Sequence, residues 1–355
     1  MMITSVSRTS PAVSIAPVEA DGDPRWDAYV DCHPDRSAYH YFGWPRLIAR
    51  AFSHDALLLS ATIGDQIVGV LPLVVMKSRL FGRFVVSLPF LNEGGLLADD
   101  QAAEAALVEA AIEVTRAAGA DYLELRHMRR HDPKLTERRH KVAMSLSLLA
   151  TPDAQWQALD RKVRNQVRKG EKSGVAVTNG GPELLDSFYD VFARNMRDLG
   201  TPVFGVNLFR EALAAFPERT RVFCAHHRGA PVAGSIVHWR GDSMEVIWAS
   251  ALRESNSVSA NVTLYWHLLQ FAISQGCSRF EFGRCTPGEG PFQFKRQWGA
   301  EPRPLVWEYW QARPSVDFDK TPRNPKYRAA VALWQRLPLG VTTMVGPRIV
   351  RSIPC

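Results

Sequence analysis

The residues with the clearest capacity for chemistry lie together near position 280. The stretch 279–310 reads RFEFGRCTPGEGPFQFKRQWGAEPRPLVWEYW. A strand-like run carries Glu281 and Arg284, and a Gly/Pro-rich turn with Gly288 follows. A second aromatic run, read as another sheet element, carries Lys295 and Arg296 and stops at Gly299. Cations held this way suit an anionic substrate or the negative charge that develops in acyl transfer. Charges embedded among aromatics are costly unless paired. The plain alternative is a structural sheet with a Glu281–Arg284 ion pair and a strand-end Lys295.

A second constellation is the run RKVRNQVRKGEK, 161–172, with six basic residues and one acid. On a helix, Arg161, Arg164, Arg168 and Lys172 recur at three- and four-residue steps and can share a face, while Asn165 and Lys169 form a further i,i+4 pair. Such a face suits phosphates, although a solvated helix face has the same composition. The segment RESNSVSANVTLYW, 253–266, opens a helix with Ser and Asn residues whose backbone N–H groups can also receive phosphate. Trp248, Asn261 and Tyr265 flank the expected cleft.

Other chemistries find little support. The cysteines are odd in number, five, and lack CxxC spacing, which argues against a disulfide framework and for a cytoplasmic setting. The histidines are scattered, without HExxH or zinc-like spacing, so no metal site is expected. No GxSxG motif signals a serine nucleophile, and neither Cys277 nor Cys285 has a convincing histidine partner. No signal peptide or membrane-spanning run is expected. A net charge of +7 favours anionic partners. The charge is local and lacks interleaved aromatics, which disfavours a pure nucleic-acid binder.

Two units must position these residues. Their apolar patterning predicts hairpin, helix and strand twice, at 14–150 and 151–312, in an α/β (α+β) fold. In the first unit, 56–63 and 67–78 form a hairpin, 81–90 another strand, and 101–119 an alanine-rich helix. In the second, one helix is expected to end at Gly174, another covers 182–200, and a meander precedes the helix at 259–276. The first dozen residues read as loose. The tail, 313–355, mixes apolar and basic residues. Its part from 326 to 355 suits packing on the body or peripheral contact with the inner membrane.

Several stretches carry a family resemblance: LPLVVMKSRLFGRFVVSLPFLNEGG (71–95), RKVRNQVRKGEKSG (161–174), FYDVFARNMRDLGTPV (188–203), NVTLYWHLL (261–269) and FEFGRCTPGEGPFQFKRQWGAEP (280–302). Together they resemble the FemAB-like branch of the Gcn5-related N-acyltransferase (GNAT) superfamily. The nearest members are the FemAB-like proteins associated with exopolysaccharide and exosortase (PEP-CTERM) systems. The resemblance implies tandem acyltransferase modules with mixed sheets and a better-formed cleft in the second. It implies amide formation on an amine of a cell-envelope, peptidoglycan or exopolysaccharide precursor. The donor would be acyl-CoA or aminoacyl-tRNA, with no tightly bound cofactor.

Lys295 in FKRQWG matches the family lysine that stabilises the transferring carbonyl. Arg284 would clamp a carboxylate or phosphate, Glu281 would help deprotonate the attacking amine, and Tyr265 would return a proton to the leaving group. Trp248 would wall the cleft, and Gly288 would free the backbone beside the ligand. Arg161, Arg164, Asn165, Arg168, Lys169, Asn261 and Arg296 would contact substrate or tRNA. The chain lacks the Q/R-x-x-G-x-G/A loop of acetyl-CoA enzymes. That absence keeps two alternatives open: an acyl-CoA-dependent acetyltransferase for a sugar or small molecule, and an inactive acyltransferase-like binding protein of exopolysaccharide machinery.

Overall fold

The computed structural model describes residues 12–18, 22–78, 82–312 and 325–353. The first dozen residues read as loose fall almost wholly outside this range, as does the polar stretch 313–324. Among the described residues the strands form two mixed sheets, one of eight strands and one of seven. Each contains a parallel pair joined through a crossover helix. In the first, Gly82–Val86 pairs with Tyr122–His127 across the helix Gln101–Ala117. In the second, Ser243–Ala251 pairs with Arg279–Cys285 across the helix Ala260–Ser274. The mixed α/β class and its duplication therefore appear as the patterning predicted.

The sheets divide the chain differently from the expected units. Strand Val142–Ser147, ahead of the expected boundary, lies in the second sheet between Arg279–Cys285 and Glu301–Pro304. Strand Val306–Gln311, expected in the second unit, lies in the first sheet between Tyr122–His127 and Thr136–Arg138. Hydrophobic alternation marks a strand but does not choose its neighbours.

Three local expectations are corrected. The helix expected to end at Gly174 is two helices, Pro152–Ala158 and Arg161–Lys172. Leu159 is extended between them, and Asp160 caps the second through Lys162 N–H at 2.6 Å. The aromatic run carrying Lys295 is a helix, Gly290–Arg296, with Pro291 in its first turn. The strand expected over 81–90 ends at Val86. Beyond it, Leu88 and Phe90 take left-handed φ values of 53° and 70°. Such φ values are strained for side chains of this kind, and they stand because both are buried, with Phe90 stacked on Phe52 at 4.1 Å.

The two sheets share one apolar core. Trp44, on the helix Gly43–Phe52, is fully buried and meets Phe216, His238 and Trp248 of the second half. The basic helix is seated by its apolar face, Val163 and Val167, and by Gly170. A Cβ at Gly170 would lie 1.9 Å from Thr263 Oγ1, so the two helices touch backbone to side chain. The tail packs on the body. Gln335 Nε2 donates to the Asp198 carbonyl at 2.9 Å, and Gly346 lies against Val203. His54 Nε2 bonds the Arg351 carbonyl at 2.7 Å, which ties the tail to the first half. Among the described residues no helix is long and apolar enough to cross a membrane.

Burial makes several histidines hard to protonate: His40 and His238 fall to about 3 and His131 to about 4. Unfolded histidine titrates near ~6.5, so below that pH the unfolded chain takes up protons the folded chain refuses. Stability from these groups is complete above that pH and falls as pH falls. Half-buried Glu93 and buried Glu245 have raised pKa values and work in the opposite sense. A variant comparison isolates the histidine share. His238→Phe, which keeps a ring against Trp44, should lose less urea resistance than the parent between about pH 7.5 and about pH 5. Equal losses would show that His238 takes no part.

Candidate active site at a parting of two strands

The parallel pairing of Ser243–Ala251 with Arg279–Cys285 runs only through Ser243↔Arg279, Met244↔Phe280 and Glu245↔Glu281. Beyond Glu245 and Glu281 the strands part. Each carries an irregularity against its outer neighbour, at Ile236/Val237 and at Glu281/Arg284. Gly283 turns the strand with φ 75°. A Cβ there would sit 3.1 Å from Asn92 Nδ2 and 3.2 Å from the Val246 carbonyl, so glycine is required for both conformation and space.

The parted strands open a cleft of about 450 Å³. Ile247, Ala249 and Ser250 line one side, and Phe282, Gly283 and Arg284 the other. Lys295, Tyr265, Asn261 and Asn195 also face it. Lys295 is buried, and its Nζ donates to the carbonyls of Gly283 and Arg284, both at 2.9 Å. Burial pulls its pKa down to about 8. An ammonium has three donors, so one N–H is left beyond these carbonyls. Tyr265 stacks on Phe282, with ring centroids 5.5 Å apart, and burial raises its pKa, so it keeps its proton through the neutral range. Arg284 donates to the Leu91 carbonyl at 3.4 Å and lies over the Trp307 ring. Burial raises the Cys285 thiol although Lys295 and Lys141 lie near, which suits a cleft without a thiolate nucleophile.

The cleft continues into a basic groove. Asn256, Asn261 and Phe294 are common to the cleft and to a hollow bounded by Lys162, Gln166, Ser259 and Arg296. Lys162 and Gln166 are in turn shared with a shallow surface at Arg161, Asn165 and Lys169. The phosphate-seeking residues of the helix opening and of the basic helix thus form one path leading to Lys295.

Not every expected site residue lies on this path. Arg164 instead bonds Gln157 Oε1 at 3.2 Å, and Arg168 lies over the Trp156 ring at 5.4 Å. Arg161, Asn165 and Lys169 face this path while Arg164 and Arg168 do not, because Val163 and Val167 fix the helix rotation. Trp248 does not wall the cleft. Its neighbours Ile247 and Ala249 do, while Trp248 packs on Phe209 at 5.0 Å and on Trp44. Glu281 faces a different cavity, where Arg303 Nη2 at 2.8 Å and Ser145 Oγ at 2.9 Å bond it. Its ion pairs are with Arg279 and Arg303. Gly288 occupies a turn closed by Glu289 N–H and the Thr286 carbonyl at 3.3 Å. Its φ is 84°, and a Cβ there would meet nothing within 4 Å, so it serves the turn.

Four site residues escaped sequence reasoning. Lys162 and Gln166 are an i,i+4 pair one step from the residues chosen, and the spacing could have found them. Asn92 and Asn195 come from distant segments, and although both lie in stretches that carry the family resemblance, no spacing singles them out. Asn195 Nδ2 reaches Ser250 Oγ at 3.0 Å, and Asn92 Nδ2 reaches Glu245 Oε1 at 2.7 Å.

Residues 157–296 match the family model described as "Acetyltransferase (GNAT) domain", a range that includes most of the cleft, Lys295 and the basic helix. No curated protein matches the chain. Among solved structures, FemX aligns with a TM-score of 0.65 and 13% identity, over 83% of this chain and 96% of FemX. A tandem GNAT protein from the clavulanic acid biosynthesis pathway aligns with a TM-score of 0.55 and 13% identity, over 86% of this chain and all (100%) of its own. The C-terminal domain of a putative lysylphosphatidylglycerol synthetase from Agrobacterium fabrum aligns with a TM-score of 0.53 and 13% identity, over 88% and 93%. The chain thus has the fold of tandem GNAT proteins, and the stretch that matches the GNAT model contributes most of the cleft.

Proposed function

We propose that the protein is an N-acyltransferase that moves an acyl or aminoacyl group from a phosphate-bearing donor to an amine of a cell-envelope precursor. The observation that carries this reading is the continuity of the basic groove with the parted strands, where Lys295 and Tyr265 stand. Donor phosphates rest against Lys162, Arg296 and the N-terminus of Ala260–Ser274, where unsatisfied N–H groups favour anions. The acyl arm lies between the strands, whose unpaired backbone edges can bond an extended ligand. The Lys295 ammonium then stabilises the oxyanion formed on attack, and Tyr265 supplies a proton to the leaving group. The amine attacks directly, with no covalent enzyme intermediate.

Acyl-CoA and aminoacyl-tRNA share the required donor chemistry. The GNAT domain match favours acyl-CoA, while the fold shared with FemX and with a lysylphosphatidylglycerol synthetase supports aminoacyl transfer to an envelope component. The link to exopolysaccharide systems rests on sequence resemblance. We place the reaction in the cytoplasm beside the inner membrane. Exposed Leu333, Val341 and Met344 on the docked tail, together with exposed Arg336 and Arg348, support contact with an anionic bilayer.

Incubation with acetyl-CoA or charged tRNA and an envelope-precursor extract should yield a new amide detectable by mass spectrometry. Turnover of neither donor would remove the enzymatic reading in favour of a binding role. With the productive donor, Lys295→Met should lower kcat about 10²- to 10³-fold with little change in donor affinity. Because Lys295 loses its charge near pH 8, kcat should fall on the alkaline side of that value, and Lys295→Arg should move the fall upward. Calorimetry should show Lys162→Ala weakening donor binding about tenfold, while Arg168→Ala leaves it nearly unchanged. Equal losses in the two variants would contradict the assigned groove face.

A further inference from the structure

A smaller cavity, about 140 Å³, lies across the strand junction from the donor cleft. The first half supplies Arg36, Ser37 and Glu93 to its lining, and the second supplies Glu245, Glu281 and Arg303. Asn92 stands between the two hollows. It faces the donor cleft, yet its Nδ2 bonds Glu245 Oε1 at 2.7 Å and Tyr39 Oη at 3.1 Å. The strained loop after Val86, held at Leu88 and Phe90, delivers Asn92 and Glu93 to this junction.

The three glutamates of the cavity are not equivalent. Glu281 is engaged by Arg303 and Ser145. Glu245 Oε1 receives Tyr39 Oη at 2.6 Å as well as Asn92. Glu93 Oε2 is buried and receives no hydrogen bond among the described residues. Burial, helped by Glu281 and opposed by Arg303, Arg279 and a hydrogen bond from Ser37, puts the Glu93 carboxyl at about 7. It is therefore poised to take and release a proton near neutrality. The arginines also differ. Arg240 is held by Asp31, and Arg279 and Arg303 by Glu281. Arg36 donates to a backbone carbonyl, that of His33, at 3.3 Å.

We propose that this cavity receives the acceptor, an aliphatic amine that also carries an anionic group, with Glu93 taking the ammonium proton and Arg36 holding the anionic end. This rests on the reading of the donor cleft as an acyl-transfer site. An N–H bond of the ammonium breaks, its electron pair stays on nitrogen, and the proton goes to Glu93. The nitrogen then bonds the acyl carbon and the bond from that carbon to the donor's leaving atom breaks. The leaving group departs with the electron pair and takes up the second proton lost by nitrogen. The small volume admits the amine and the anionic group beside it and leaves the rest of a larger acceptor outside.

The test uses the full chain and three probes: 6-aminohexanoate, cadaverine and hexanoate. Ligand-observed NMR should show saturable binding of 6-aminohexanoate, with both single-function probes weaker by about tenfold, the worth of one charged hydrogen bond. Glu93→Gln and Arg36→Ala should each weaken 6-aminohexanoate by about tenfold and leave coenzyme A binding unchanged. In acyl transfer, the acidic limb of kcat/KM near pH 7 should vanish in Glu93→Gln. Absence of saturable 6-aminohexanoate binding, or equal binding by parent and both variants, overturns the proposal. A chain that binds this probe as described but turns over neither acetyl-CoA nor charged tRNA would sink the acyl-transfer reading and leave the amine site standing.

Discussion

The incomplete pairing of two parallel strands is the constraint on which the rest depends. Had Ser243–Ala251 and Arg279–Cys285 stayed paired along their length, backbone bonds would fill the space where a ligand can enter. Pairing stops after Glu245↔Glu281, and the following carbonyls need other partners. Lys295 satisfies two of them, at Gly283 and Arg284. The same side chain therefore holds the gap open and places a positive charge beside it. A buried cation with no partners would be expensive, and these two carbonyls make it tolerable.

The gap is framed from both halves of the molecule. Strands Val142–Ser147 and Val306–Gln311 each pair within the sheet associated with the other half, and Trp44 packs against Trp248 directly behind the cleft wall. The loop after Val86 then reaches across to set Asn92 against Gly283. Left-handed φ at Leu88 and Phe90 costs about 1–2 kcal/mol per residue, and their burial offsets it. Contact between the halves brings a side chain from one, Asn92, to the cleft that holds a lysine from the other, Lys295.

The chemical residues were legible to different degrees. Lys295, Arg284, Tyr265 and Asn261 could be chosen from residue type and motif, and they do meet in one cleft. Glu281 was chosen by nearness in sequence to Arg284, but the irregular strand after it sends the two side chains to different cavities. Arg164 and Arg168 were chosen for charge and spacing. Spacing identifies stripes on a helix, yet the apolar residues Val163 and Val167 decide which stripe turns outward and toward what. Trp248 and Ile247 are both large apolar residues, and the irregularity at Ile247 in the pairing with Ala230–Arg240 turns Ile247 to the cleft while Trp248 stays in the core.

The order of apolar and polar residues by itself determined most of the element sequence, the doubled α/β plan and the basic helix, because periodicity and capping act over a few neighbouring residues. It also placed the lysine and tyrosine of the cleft near the correct segment. Only the tertiary structure decided that the strands part after Glu245, and that Asn92, Glu93 and Asn195 come to the junction. Those outcomes depend on contacts between residues far apart in the chain, whose energies leave no mark on local spacing.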